Sequence, residues 1–218
     1  MSEQYKFAYL GGVGEIVEKK SRFITTVEPV HSEEEALTFI EKIRKQYWDA
    51  NHNCTAFTIG KRHQLTRCSD DGEPAGTAGR PMLEVLLGED IHDVAVVVTR
   101  YFGGTLLGTG GLVRAYSKSV QEGLRSAVIL EKQKAVRLDI RTDYNGVGKI
   151  QYLLGQNHIT TLHSEYTDSV AMEVLVPVDF LGTLTAAITE GTSGQAKMTE
   201  GDTCWFALLD GEVLLFEE

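Results

Sequence analysis

The chain has 218 residues, 31 acidic against 21 basic side chains, a formal net charge of −10 and three cysteines. That length accommodates one large or two small domains with ample apolar content for a core, and no apolar window approaches the roughly 18 residues that a membrane span needs. Cys54, Cys68 and Cys204 are too few and too scattered for a disulfide framework or a CxxC zinc site, so reduced thiols and no structural metal are expected.

The N-terminus, MSEQYKFAYLGG, lacks the basic and apolar regions of a signal peptide, which points to the cytoplasm and to no membrane partner. Charge is unevenly spread. Residues 1–133 carry 16 Lys+Arg against 18 Asp+Glu, or −2, and residues 134–218 carry 5 against 13, or −8. An acidic chain of this kind excludes indiscriminate nucleic-acid binding, so no DNA partner is expected and any RNA contact has to come from a local basic patch in the first part.

Residues 6–20 mix β formers with glycine, and Arg22–Val30 reads as a strand, so the two predict a hairpin. Ser32 with Glu35 three residues on is a capping box, and Leu37, Ile40, Ile43 and Tyr47 recur at helical spacing, predicting a helix over 33–48. Asn53–Ile59 reads as a strand with Leu65–Cys68 as its hairpin partner across Gly60-Lys61-Arg62.

The following stretch, SDDGEPAGTAGRPMLEVLLG, opens a second helix through Gly76, Thr77 and Gly79, with Pro81 in its first turn. Asp70, Asp71 and Glu73 put three carboxylates within four residues. They are weak catalytic candidates, able in principle to ligate Mg²⁺ or move protons with His52 nearby, and the plainer reading is an acidic turn whose aspartates cap backbone amides.

Val94–Val98 is an unbroken apolar run, the mark of a strand buried on both faces. It feeds through Gly103, Gly104, Gly108, Gly110 and Gly111 into a helix with Leu112, Tyr116, Val120, Leu124 and Val128 on one stripe, expected to end near Leu130. Amides at such a helix start favour an anion, and Thr109 with Arg80, Arg100 and Arg114 completes the candidate phosphate or RNA contacts. Thr109 stands where a P-loop needs Lys, and Val113 fills the third small position of a dinucleotide fingerprint, so neither motif is met. No nucleophile elbow surrounds Ser117 or Ser119.

Beyond about residue 133 the pattern changes. A strand over 134–144, a helix over 146–154, strands over 160–166 and 169–176, a helix capped by Asp179 and running to about Thr189, and a strand over 197–209 give the order β-α-β-β-α-β, with one more strand over 212–216. Two domains are expected, 1–133 and 134–218.

Taken together, SDDGEPAGTAGRPML, VVVTRYFGGTLLGTGGLVRAYS, KKSRF at Lys19–Phe23 and DYNGVGKIQYLL resemble the YigZ/IMPACT family over nearly the whole chain. The resemblance implies an α+β protein. Its N-terminal domain would be similar to domain IV of elongation factor G and to a domain of the GHMP kinases, and its C-terminal ferredoxin-like domain to domain V of that factor. Eukaryotic members are linked to control of translation initiation through an additional N-terminal domain that binds an activator of an eIF2α kinase; this chain begins almost at the KKSRF strand, so that contact is not expected to carry over. Some bacterial relatives carry a proline dipeptidase label, but no paired metal-ligand pattern of that class stands in this sequence.

Three readings remain open. The first is a non-enzymatic, translation-associated protein contacting RNA, the ribosome or another phosphate-bearing partner through the glycine loops, without a cofactor. The second is an enzyme acting on a phosphorylated or nucleotide ligand, with Mg²⁺ on the acidic trio. The third is a protein–protein module, with the acidic C-terminal domain as one surface for a protein partner.

Overall fold

The computed structural model describes residues 4–216, and the chain divides within one long strand: Tyr5–Leu130 form one unit, and the residues from Glu131 onward form most of a second. The first part runs β1 (Gln4–Leu10), β2 (Gly12–Glu18), β3 (Ser21–Pro29), α1 (Glu33–Gln46), β4 (His52–Ile59), β5 (Leu65–Ser69), α2 (Gly79–Gly88), β6 (Ile91–His92), β7 (Val94–Tyr101) and α3 (Thr109–Ser126). Strands β2-β3-β7-β4-β5 form an antiparallel sheet with β7 at its centre. Strand β6 pairs in parallel with β1, setting His92 opposite Phe7.

The position of β7 explains its unbroken apolar sequence, because successive side chains face opposite sides of a sheet. Val94, Val96 and Val98 join a core with Phe23, Met82 and Leu86 of α2, and Tyr116 and Val120 of α3. Ala95 and Val97 join a second core with Phe39, Ile40 and Ile43 of α1. Helix α1 starts as the sequence predicts, with Ser32 Oγ accepting the Glu35 amide. The return arm of the box lands one residue earlier than expected, on the His31 amide at 2.7 Å.

Helix α3 stops short of the expected end near Leu130. Ala127 is extended, and the β-branched pair Val128-Ile129 opens β8 (Val128–Thr142) instead of continuing the stripe. The second unit continues with α4 (Tyr144–Gln156), β9 (Thr160–Tyr166), β10 (Val170–Pro177), α5 (Leu181–Gly191), β11 (Lys197–Leu209) and β12 (Glu212–Phe216). Its strands lie in the order β9-β10-β8-β11-β12, each pair antiparallel, which is the ferredoxin-like arrangement with one added edge strand. Leu138, Ile140 and Val174 of the sheet pack on Ile150 and Leu154 of α4 and Leu184 and Ile188 of α5.

Asp143 caps α4 by accepting the Asn145 and Gly146 amides. The cap expected from Asp179 is absent: Phe180 occupies the N-cap position of α5, and no side chain bonds the free amides there. Among the described residues no helix is long and apolar enough to cross a membrane.

Candidate functional site

The two glycine loops differ in one decisive respect. Before α2, Asp70 reaches forward and fills the anion position itself. Its Oδ1 accepts the amides of Ala78 at 3.0 Å and Gly79 at 2.8 Å, and its Oδ2 accepts that of Gly76 at 2.8 Å. Burial raises the Asp70 pKa, but the three amides outweigh it and hold the carboxyl below its ordinary value. Thr77 is buried and its hydroxyl donates to the Pro74 carbonyl, which stiffens the same turn.

Asp71 is similarly engaged, accepting the Asn53 amide at 2.6 Å and lying 3.4 Å from Arg44. Glu73 points elsewhere, into the interior. Its Oε1 accepts from Arg100 Nη1 at 2.6 Å and from the Tyr116 hydroxyl at 2.7 Å. The acidic trio therefore does not converge on a shared cation position: two members hold backbone amides and the third is neutralised by arginine. His52 donates from Nδ1 to the Asp71 carbonyl and leaves Nε2 3.9 Å from Glu73 Oε1.

Arg100, expected among the anion contacts, is a correction of the same kind. It shares the parity of Val94, Val96 and Val98 along β7, so it faces inward, where Nη2 donates to Ser21 Oγ at 3.3 Å and the guanidinium lies over the Phe23 ring. Its Nε is buried with no partner among the described residues. Cys54 completes the cluster, its thiol donating to the Asp70 carbonyl and lying 3.3 Å from the Tyr116 hydroxyl. Burial, the largest cause, pushes that thiol up to about 12 and lifts the Tyr116 phenol well above its usual range. Neither group ionises at neutral pH, so the cluster holds no thiolate nucleophile.

The second loop is open. Gly108, with φ of +74°, is the N-cap of α3, and no side chain caps that helix. Gly103 is pinned at the other end of the loop, its amide donating to Ser21 Oγ and its missing side chain leaving room for the Lys20 carbonyl. Gly104 and Gly108 to Gly110 are exposed, and Thr109 with them. Beside the loop lies a cleft of about 230 Å³ lined by Glu18, Lys19, Gly111, Arg114 and Lys118, three cations and one carboxylate. None of the three cations is ion-paired among the described residues. Arg80 does not line this cleft; it pairs with Glu84 one turn on along the exposed face of α2.

Of the residues singled out in the sequence as anion contacts, Arg114 and Gly111 line this cleft, while Lys19 and Lys118, which line it too, are not among them. Lys118 lies four residues after Arg114, one helical turn on, and that spacing was the available signal. Lys19 arrives through the β2–β3 turn, where Lys19 and Lys20 both take positive φ.

The fold and this loop pair define a class that comparison with known proteins makes specific. Residues 19–124 match the Impact N-terminal domain, and residues 140–195 match a domain of unknown function, DUF1949. The chain is 43% identical to the IMPACT family member YvyE of Bacillus subtilis over 191 residues, 88% of each protein. It is 37% identical to the IMPACT family member YigZ of Escherichia coli, over 83% of this chain and 89% of that one. A crystal structure described as that of a hypothetical protein superposes with a TM-score of 0.58 at 34% identity, covering 93% of this chain and 99% of the other. The chain belongs to the IMPACT family.

Proposed function

We propose that the protein is a non-enzymatic, translation-associated factor that binds RNA, on the ribosome or free, through phosphates seated in the cleft at the start of α3. One observation carries this reading: the uncapped N-terminus of α3 opens beside Lys19, Arg114 and Lys118, three cations without ionic partners among the described residues. Backbone amides, the positive end of the helix dipole and unpaired cations together suit a phosphate, and exposed glycines let a sugar–phosphate chain come close. The link to translation rests on what the family resemblance implies for its eukaryotic members. The engagement of Asp70, Asp71 and Glu73 elsewhere weighs against the Mg²⁺-dependent enzyme.

Co-sedimentation of the protein with ribosomes and with free RNA across a salt series tests the reading. Binding should weaken by roughly 0.7 to 0.9 log units per log unit of salt for each phosphate neutralised. A wild-type protein that fails to sediment with either at low salt would sink it.

A further inference from the structure

Away from the glycine loops, the described residues bring together His63, Asp90 and His92, whose ligand atoms all lie within 4.8 Å of one another. His63 stands in the turn between β4 and β5, Asp90 follows α2, and His92 ends β6. The two imidazoles stack, centroids 3.8 Å apart and planes within 12°. Both Nε2 atoms lie 3.1 Å from one and the same oxygen, Asp90 Oδ1.

The placement of protons decides what this edge requires. His92 Nδ1 is 2.9 Å from the Gly60 carbonyl oxygen, which can only accept, so in the neutral ring the proton is on Nδ1. Nε2 then turns a lone pair toward a carboxylate oxygen at hydrogen-bond distance. His63 Nδ1 is 2.6 Å from Thr58 Oγ1, and when it donates there its Nε2 turns a second lone pair to the same oxygen. Charging both rings would stack two like charges in contact. Because the two rings stack within 12°, their lone pairs run side by side, so a single cation shared by both nitrogens and the oxygen requires one imidazole to tilt out of the stack as it binds.

The surroundings suit that cation. Two ligand atoms bonded at about 2.0 to 2.1 Å to a tetrahedral ion lie roughly 3.3 Å apart, close to the spacing of each nitrogen from Oδ1. The outer ring nitrogens are held by a carbonyl and a hydroxyl, the usual outer partners of ligating histidines, and Gly60 is itself fixed by donating to Asp93 Oδ1 at 2.8 Å. His63, Asp90 and Asp93 all hold φ between +50° and +54°, so the backbone of three side-chain-bearing residues is strained at this one place. His92 is 3% exposed while the Asp90 side chain is 68% exposed, giving a buried anchor and an open front.

We infer that His63 Nε2, His92 Nε2 and Asp90 Oδ1 form a binding site for a divalent transition-metal ion of the zinc or cobalt type. Two imidazoles and one carboxylate select such borderline ions over Mg²⁺ and Ca²⁺, and three protein ligands leave a coordination position facing solvent.

The test uses the full chain, stripped with a chelator and titrated with Co²⁺ and with Zn²⁺ near neutral pH, read by calorimetry and by the visible absorption of bound Co²⁺. Wild type is compared with Asp90→Asn, in which the new side chain tolerates the left-handed backbone, and with His63→Ala, each checked for folding by circular dichroism. One ion per chain is expected, with Zn²⁺ displacing Co²⁺, affinity at least tenfold weaker in either folded variant and no competition from Mg²⁺. The inference is overturned when wild type takes up no stoichiometric ion. It is equally overturned when a folded variant keeps wild-type affinity, which would put the ion elsewhere, for instance on the exposed thiol of Cys68.

Discussion

Arg100 and Glu73 meet at 2.6 Å with side chains only 6% and 3% exposed, the guanidinium from the end of the central strand and the carboxylate from the loop that leads to α2. The pair joins two elements that the sheet hydrogen bonds leave independent. Removing one partner strands a buried charge, a loss of about 3 to 5 kcal/mol. Arg100→Ala and Glu73→Gln should each lower the urea midpoint strongly, and an Arg100→Ala protein with the wild-type midpoint would show that the pair is not buried in solution.

A separate outcome is expected at the cleft. Arg114 and Lys118 lie one turn apart on α3 without ionic partners among the described residues, so Arg114→Ala/Lys118→Ala should leave the melting curve near wild type. If RNA occupies the cleft, the slope of log affinity against log salt falls by roughly 0.7 to 0.9 for each phosphate that the variant no longer neutralises. An unchanged slope in a filter-binding series would move the RNA away from α3.

Cysteine chemistry distinguishes the interior cluster from the surface. Cys54 is buried and its thiol is pushed up to about 12, chiefly by burial, whereas Cys68 is exposed. Only a thiolate attacks a disulfide reagent. In the folded chain near pH 8, mass spectrometry should find Cys68 modified by an aromatic disulfide well before Cys54, and Cys54 should react at a comparable rate only in denaturant. Early labelling of Cys54 would mean that the loop from Asp70 to Gly79 opens readily.

The architecture was legible where one local rule decided it. The unbroken apolar run of β7 implied burial on two faces, Ser32 with Glu35 implied the start of α1, and the alternation of strand and helix after Gln133 implied the ferredoxin-like order. The site was less legible because its pairings are made across the fold. Arg100 looked like a ligand by its nearness to the glycines, yet strand parity with Val98 already turned it inward. Glu73 reaches it across 27 residues. His63 and His92 meet only because β6 lies beside the turn after β4, a juxtaposition no motif spacing records. Val128 failed as a helical residue because a stripe position does not outweigh two adjacent β-branched side chains where the chain turns extended.

Asp70 makes the stability of the fold depend on pH. Burial raises its pKa, the amides of Gly76, Gly79 and Ala78 lower it more, and the net shift is downward. A carboxyl held lower in the folded than in the unfolded chain contributes stability that is fully present above the unfolded value of about 3.9 and is lost as pH falls through the folded value. Urea midpoints measured from pH 7 down to pH 2 should therefore drop for wild type below about pH 4. Asp70→Asn removes the titrating charge and leaves one acceptor oxygen for three amides. It should cost about 1 to 2 kcal/mol at pH 7, in the range of a lost helix cap, and should show a shallower acid limb. An acid limb identical to wild type would assign the lost stability to other carboxylates and leave Asp70 as a hydrogen-bond acceptor whose charge is immaterial, since the amides of Ala78 and Gly79 would then be held equally well by a neutral oxygen.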